Sequence, residues 1–242
     1  MSTFFITGTD TDVGKTIVTA LLTAYYKKIG KRVVPYKPVQ SGAIDEQGRL
    51  TAPDVALYKK ALPTLAAEDS NTYVLKKPSS PHLAAKEEGV TIFPGKIIEH
   101  VRLLEQKYET VLVEGAGGLI VPIQENGYCM IDLIKDLSVP VLLVARAGLG
   151  TINHTVLSVM ALKAAGIKIA GIIFNRLKND ENPTIEHDNR HMIEQLTSIP
   201  VIGTVPFFNN VDEVFQNDHL LDELFTSFQF EKLNVRHRTH QN

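Results

Sequence analysis

The chain has 242 residues, of which 44% are hydrophobic and 21% charged, and its formal net charge is -2. Such values leave material for a substantial core, in one large domain or two small ones, and exclude wholesale disorder. The charge balance lacks the basic excess of a nucleic-acid footprint, and the sole cysteine, Cys129, excludes an intrachain disulfide framework.

A lone thiol fits a reducing compartment, and Cys129 reads as a small buried or loop residue with no base placed beside it. The N-terminus has no basic segment followed by a long apolar stretch, so no secretory signal is expected. No apolar run approaches the roughly 18 residues of a membrane span. A soluble, cytoplasmic protein is the expectation.

In chain order, "TFFITG" reads as a strand and "GTDTDVGKT" as a loop. Lys15 to Ile29 follows as a helix, closed by Gly30 and the basic pair Lys31 and Arg32. "RVVPYKP" is the second strand. "TAPDVALYKKAL" opens a helix with Pro53 near its first position. Further helical patterns cover Lys96 to Lys107, Ile152 to Ala165 and Thr184 to Leu196. Between them "TVLVEG", "PVLLVAR" and "KIAGIIFN" are almost continuously apolar, as strands covered on both faces should be. "IPVIGTVPFF" supplies one strand more. This alternation predicts an α/β fold, a parallel sheet with helices on both faces. Without an internal repeat or a Gly/Ser linker, a single domain over residues 1–230 is expected, followed by a polar tail, 231–242, whose histidines are solvated.

The first loop carries the strongest signal. Strand, glycine-bearing loop, Gly-Lys-Thr and helix together form a phosphate-binding arrangement, in which backbone N–H groups at a helix N-terminus wrap an anion. Lys15 would bridge the outer phosphates, the Thr16 hydroxyl would ligate Mg²⁺, and Gly14 would avoid a crowding Cβ. Five residues separate Gly8 from Gly14 where four are usual. Asp10 and Asp12 would repel a phosphate unless they face elsewhere. Asp10 reads as a turn-former; Asp12 or Thr11 would face a second, partly cationic ligand or the metal shell.

Further along, Lys37 stands near the end of the second strand, with Ser41 four residues on. It would neutralise a transferring phosphoryl group, or else it is an exposed lysine between the turn-formers Pro35 and Pro38. Asp54 is a first-turn carboxylate or a Mg²⁺ ligand. Glu114 closes a buried strand where a metal-binding acid is expected, and Gly115, Gly117 and Gly118 would admit close backbone approach or simply form a tight turn.

Taken together, "GTDTDVGKT", "YKPVQSG", "SPH", "VEGAGG" and "LGTINH" resemble the dethiobiotin synthetases, in that family's order and approximate spacing, from Thr3 to about Phe208. The extra loop residue is the family's own variant. The resemblance implies a P-loop NTPase-like fold, a homodimer with shared active sites, and ATP- and Mg²⁺-dependent joining of CO2 to 7,8-diaminononanoate through a carbamate and its phosphoric anhydride. It implies Lys15 and Lys37 as catalytic residues and Thr16, Asp54 and Glu114 as metal ligands. For ATP it implies Asp12, Val13, Gly14, Lys15, Thr16 and Ile17, then Asp54 and Glu114 to Gly117 with Ala116, then Asn175, Arg176, Pro206 and Phe207 about the base. For the diamine it implies Thr11, Lys37, Ser41 and Gly118, with Gly150, Thr151 and Asn153 receiving the tail carboxylate from the neighbouring subunit. Asp12 stands where the family commonly has Glu, and Arg176 where some members have a small acidic residue. Thr151 also reads as an ordinary helix cap.

Two other classes compete. A partitioning or septum-positioning ATPase would carry an early second lysine, where this chain reads Thr7 to Asp10, and often ends in an amphipathic membrane helix. An amidotransferring synthetase would need a glutaminase domain, for which the chain is too short.

Overall fold

The computed structural model describes residues 2–46, 49–179 and 182–232. The first half comprises β1 (Ser2–Gly8), α1 (Lys15–Lys28), β2 (Val33–Gln40), β3 (Ile44–Glu46), β4 (Arg49–Thr51), α2 (Pro53–Ala61), β5 (Asn71–Val74), α3 (Pro81–Glu87) and α4 (Pro94–Lys107). The second comprises β6 (Thr110–Glu114), α5 (Met130–Leu137), β7 (Val141–Arg146), α6 (Thr151–Ala164), β8 (Ile169–Asn175), α7 (Pro183–Thr197), β9 (Val201–Val205), α8 (Asp212–Gln216) and α9 (Asp218–Thr226), then a 3-10 turn at Phe230–Lys232. Seven strands form one sheet in the order β5-β2-β6-β1-β7-β8-β9, every pairing parallel, while β3 and β4 pair antiparallel apart from it.

The central strands read as apolar runs because helices cover them on both faces: Phe4, Phe5 and Ile6 of β1 and Val111, Leu112 and Val113 of β6 are all buried. From β1 the chain crosses to β2 and leaves a slot that β6 later fills; from β6 it crosses past β1 to β7. Where this winding reverses, loops leaving the carboxyl ends of neighbouring strands part and open a crevice. Gly8 and Glu114 end the two strands that flank it.

Strand β2 runs longer than the sequence suggests and places Lys37 inside the strand, its N–H bonded to Ser70 O at 2.8 Å. Two prolines in an inner strand are unusual because each removes a ladder donor. Here β5 starts opposite Lys37, beyond Pro35, and the β6 ladder ends opposite Tyr36, before Pro38. Pro35, which registers with Leu112 of β6, lacks its donor on the β5 side before β5 begins, and Pro38 lacks its donor on the β6 side after that ladder has ended.

α1 ends as read: Gly30 takes a φ of 78°, and the N–H groups of Gly30 and Lys31 bond Lys27 O and Tyr26 O at 3.0 and 2.9 Å. Pro53 opens α2 with Asp54 in its first turn. β9 stops at Val205, so the expected strand through Phe208 is shorter, and Pro206 starts the following loop. β3, β4, β5, α3, α5, α8 and α9 have no counterpart in the sequence reading. Cys129 proves to be the cap of α5: its backbone N–H bonds Asp132 Oδ2 at 2.8 Å, and its thiol, raised in pKa by burial and the Asp132 charge, points to Gly127 O. At the far end Tyr25 of α1 stacks on Phe230 and packs at a tilt against Phe225, and Phe228 packs against both phenylalanines. Among the described residues no helix is long and apolar enough to cross a membrane. The tail expected over 231–242 lies, beyond Lys232, outside the described residues.

Candidate active site

The loop from Gly8 to Lys15 folds as a cradle. Gly14, at φ 93°, turns the chain into α1, whose first turn contains no acid and no side-chain cap, leaving its N–H groups to an incoming anion. Val13 is fully buried beneath the loop. Asn175, at the end of β8, donates from Nδ2 to Val13 O at 3.0 Å and fixes the loop from below. A Cβ on Gly14 would overlap that Asn175 amide and lie 2.9 Å from Asn175 Cγ. Gly14→Ala is thus expected to combine a left-handed backbone penalty of about 1–2 kcal/mol with loss of the Val13 tether. Denaturation should show the destabilisation, and calorimetry should show nucleotide binding weakened at least tenfold; retained affinity would contradict the cradle.

Both aspartates are exposed, and Asp12 sits at the rim shared by the two cavities of the site. Asp10 accepts the Thr11 N–H at 2.7 Å, as a turn-former does, and its other oxygen lies 3.5 Å from Arg146 Nη2. Asp12 takes a φ of 56°, a left-handed conformation that Asp tolerates better than most residues. Neither acid points into the cradle from beneath. Lys15 does: buried, it donates to Asp10 O at 2.8 Å. Burial, followed by the like charge of Lys37, lowers its pKa to about 8.

Across the crevice β2, α2 and β6 converge on one charged cluster. Lys37 Nζ lies 2.7 Å from Asp54 Oδ2 and 2.7 Å from Glu114 Oε1. Thr16 Oγ1 donates to the same Glu114 oxygen at 2.9 Å, and the Tyr58 hydroxyl donates to Glu114 Oε2. Lys37 is 5% exposed and Glu114 fully buried, so Lys37 is not the exposed lysine that the flanking prolines suggest. Burial opposes its charge, but Glu114 and then Asp54 outweigh burial and hold its pKa above the usual lysine value. Burial first, and then the Glu114 charge, pushes Tyr58 well above the ordinary phenol range, so it remains a donor.

A cavity of about 440 Å³ joins these parts, with Thr11, Lys15, Thr16, Lys37, Ser41, Asp54 and Glu114 in its wall beside Ala116 and Gly117. An adjoining cavity of about 410 Å³ shares Asp12, Gly14 and Ile17 with it and adds Asn175, Arg176, Pro206 and Phe207. Cationic side chains and free helix N–H groups suit a chain of phosphates. The Thr16 hydroxyl with two carboxylates suits a hard, oxygen-seeking cation, and an ammonium lies between those carboxylates. Among the described residues no group of three or more His, Cys, Asp or Glu is arranged to hold a metal ion, so these residues do not form an all-protein cage, and a cation held here would share its ligands with a bound anion and water.

A protein-family model described as an AAA domain matches residues 2–214. The chain is 48% identical to the ATP-dependent dethiobiotin synthetase BioD of Halalkalibacterium halodurans over 92% of its own length and 91% of that protein's. It is 52% identical to the same enzyme of Anoxybacillus flavithermus, covering 87% of this chain and 94% of the other. The chain belongs to the ATP-dependent dethiobiotin synthetase family. Two solved structures share its fold: a ParA family ATPase from Chlorobium tepidum (TM-score 0.57, 16% identity, 96% of each chain) and the septum site-determining protein MinD of Pyrococcus horikoshii (TM-score 0.56, 18% identity, 96% of this chain and 100% of the other). They show a P-loop NTPase-like architecture and nothing narrower.

Several site positions expected of a dethiobiotin synthetase lie away from the central cavity. Gly150 and Asn153 line a separate apolar groove of about 480 Å³ with Leu149, Ile152, Leu157 and Leu196. Thr151 does not cap α6: Gly150, at φ 87°, holds the cap position, and the Thr151 hydroxyl is buried against Thr155 Oγ1 at 3.2 Å. Gly115 answers a packing demand, since a Cβ there would lie 2.8 Å from Phe5 Cε1, and Gly118 meets only the loop backbone at ordinary distance. Arg176 is held by Glu186 at 2.7 Å, and Glu186 in turn accepts from Thr204. The sequence reading missed Tyr58, buried beneath the charged cluster, as well as Gln40 in the central cavity and Lys60 in the adjoining one. Tyr58 has a legible clue in retrospect: it lies four residues after Asp54, on the same face of α2.

Proposed function

We propose that this chain closes the cyclic urea of dethiobiotin from 7,8-diaminononanoate and CO2 at the expense of ATP, in the cytoplasm. The observation that carries this reading is the placement of Lys37: a buried cation between Asp54 and Glu114, opening onto the cavity that also holds the phosphate loop, Thr11 and Ser41. One amine of the substrate attacks the carbon of CO2 and loses a proton, giving a carbamate. A carbamate oxygen attacks the γ-phosphorus and ADP leaves. The second amine then attacks the carbonyl carbon and loses a proton, and phosphate departs with the carbamate oxygen.

Phosphoryl transfer demands positioning and charge neutralisation more than covalent help. Lys15 and the α1 N-terminus hold the phosphates, while Lys37 holds the carbamate and the transferring group. Thr11 and Ser41 border the diamine, while Gly118, expected beside it, lies behind the loop backbone. Asn175, Arg176, Pro206 and Phe207 border the base. Thr16, Asp54 and Glu114 would hold Mg²⁺, which when bound supplies positive charge to the phosphate oxygens.

The same reading includes a homodimer. Leu149, Leu157, Met160 and Leu196 are 85%, 55%, 60% and 57% exposed on or beside α6 and α7, an apolar surface that a second copy would cover. The first turn of α6 has neither acid nor side-chain cap, and its N–H groups at Gly150 to Asn153 would receive the substrate carboxylate for the partner's site.

Phosphate release is expected only when ATP, Mg²⁺, the diamine and CO2 are all present. Sustained ATP hydrolysis without the diamine, or stimulation by DNA or lipid vesicles, would contradict the synthetase and favour the switch ATPases that share the fold.

A further inference from the structure

Glu114 is held through both of its oxygens. Oε1 accepts from Thr16 and Lys37 at 2.9 and 2.7 Å and so faces the cavity; Oε2 points into the core and meets the Tyr58 hydroxyl. The residue is wholly buried, so no solvent reaches Oε2 in place of that donor. Tyr58 is itself fully buried, and it shares α2 with Asp54, four residues earlier on the same face. One helix therefore presents a carboxylate across from Glu114 and a phenol beneath it.

We propose that Tyr58 is a positioning residue, whose hydroxyl fixes the rotation of the Glu114 carboxylate so that Oε1 stays aimed at Thr16 and the cation position. Without the hydroxyl, Oε2 would be a buried carboxylate oxygen with no donor, and a buried unmade hydrogen bond is costly enough to be avoided by rotation. Rotation toward another donor takes Oε1 away from Thr16. Tyr58 is not itself part of the cavity wall and meets it at Glu114, so its effect passes through that residue. Supporting groups of this kind orient metal ligands, and losing one typically costs tenfold to a hundredfold in metal affinity. This inference rests on the assignment of Thr16, Asp54 and Glu114 to Mg²⁺ made above.

The test is the ratio of ADP affinities measured by calorimetry with Mg²⁺ and with EDTA, together with Mn²⁺ binding in the presence of ADP followed by electron paramagnetic resonance. In Tyr58→Phe, ADP affinity in EDTA is expected to stay within twofold of wild type, while the metal-dependent ratio falls about tenfold or more and Mn²⁺ binding weakens in parallel. A purely structural tyrosine would lower thermal stability alike in both buffers and leave the ratio unchanged, and that result would overturn the proposal. Tyr58→4-aminophenylalanine keeps a donor at the same place and is expected to retain the ratio within threefold. Should Tyr58→Phe not fold, this variant decides alone, since loss of the ratio despite the retained donor would overturn the hydrogen-bond role. Wild-type protein without any metal-dependent ratio would instead contradict the metal site itself, whatever Tyr58 does.

Discussion

Replacing Lys37 by alanine is expected to lower turnover by about a thousandfold, the scale on which a preorganised charge at a transferring phosphoryl group acts. The same change should destabilise the fold. From the sequence, with Lys37 read as exposed, a cost of no more than about 0.5 kcal/mol would be expected. The structure reverses that expectation, because Lys37 is 5% exposed and lies 2.7 Å from each of two carboxylates. Removing it leaves Asp54 and the fully buried Glu114 facing one another without a cation. Breaking a buried pair in this way costs about 3 kcal/mol, at the low end of the usual range because Asp54 keeps some contact with solvent. Urea denaturation in EDTA should register this loss, and Mg²⁺ with ADP should recover part of it by binding the folded state. Lys37→Arg should not restore turnover, since a planar fork does not reproduce a point charge held by two single oxygens. Near-normal turnover in Lys37→Ala would remove Lys37 from the chemistry, and unchanged stability would contradict the buried cluster.

The second large effect tests the proposed division of the site between two chains. On that proposal, Lys15→Ala and Asn153→Asp should each abolish most activity as homodimers, the first by removing the cation of the cradle and the second by placing a negative charge where the substrate carboxylate would bind. Asn153→Asp should still fold, because an acid in the first turn of a helix is favourable against its dipole. Mixed after subunit exchange, the two variants should recover about a quarter of wild-type activity, since half of the dimers are mixed and each carries one intact site. No recovery, with exchange verified by mass, would mean that Gly150 and Asn153 do not complete a partner's site.

How much of this was legible in the sequence depends on whether a signal is local. The apolar runs of β1, β6, β7 and β8 announce strands covered on both faces, and Gly14, Lys15 and Thr16 announce the cradle at the correct end of one of them. The strand "NTYV" did not announce itself, being four residues long and half-buried, with no apolar run to distinguish it from a loop. α5 is short, and its start is marked by Cys129 with Asp132, a reciprocal cap built on a residue that is not a usual cap signal. The sequence singles out Lys37 but cannot show its burial, which comes from Asp54 and Glu114, arriving from two other elements. Thr151 failed as a cap for a related reason: the positive φ of Gly150 supplies the turn, and the hydroxyl is free to pack inward. For Tyr58 the spacing from Asp54 is the one local clue; its contact with Glu114 is non-local, and nothing beside it in sequence reports it.

The most direct measurement follows one oxygen atom. If Lys37 and Lys15 bring a carbamate oxygen to the γ-phosphorus, the released phosphate must carry an oxygen from CO2 and none from water. With ¹⁸O-labelled CO2, a single turnover faster than CO2 exchanges with solvent, and mass analysis of the phosphate, one labelled oxygen per phosphate is the result expected of a carbamate activated by phosphoryl transfer. Unlabelled phosphate from labelled CO2, with label appearing instead from ¹⁸O-water, would show ATP hydrolysed by water and would contradict the synthetase mechanism.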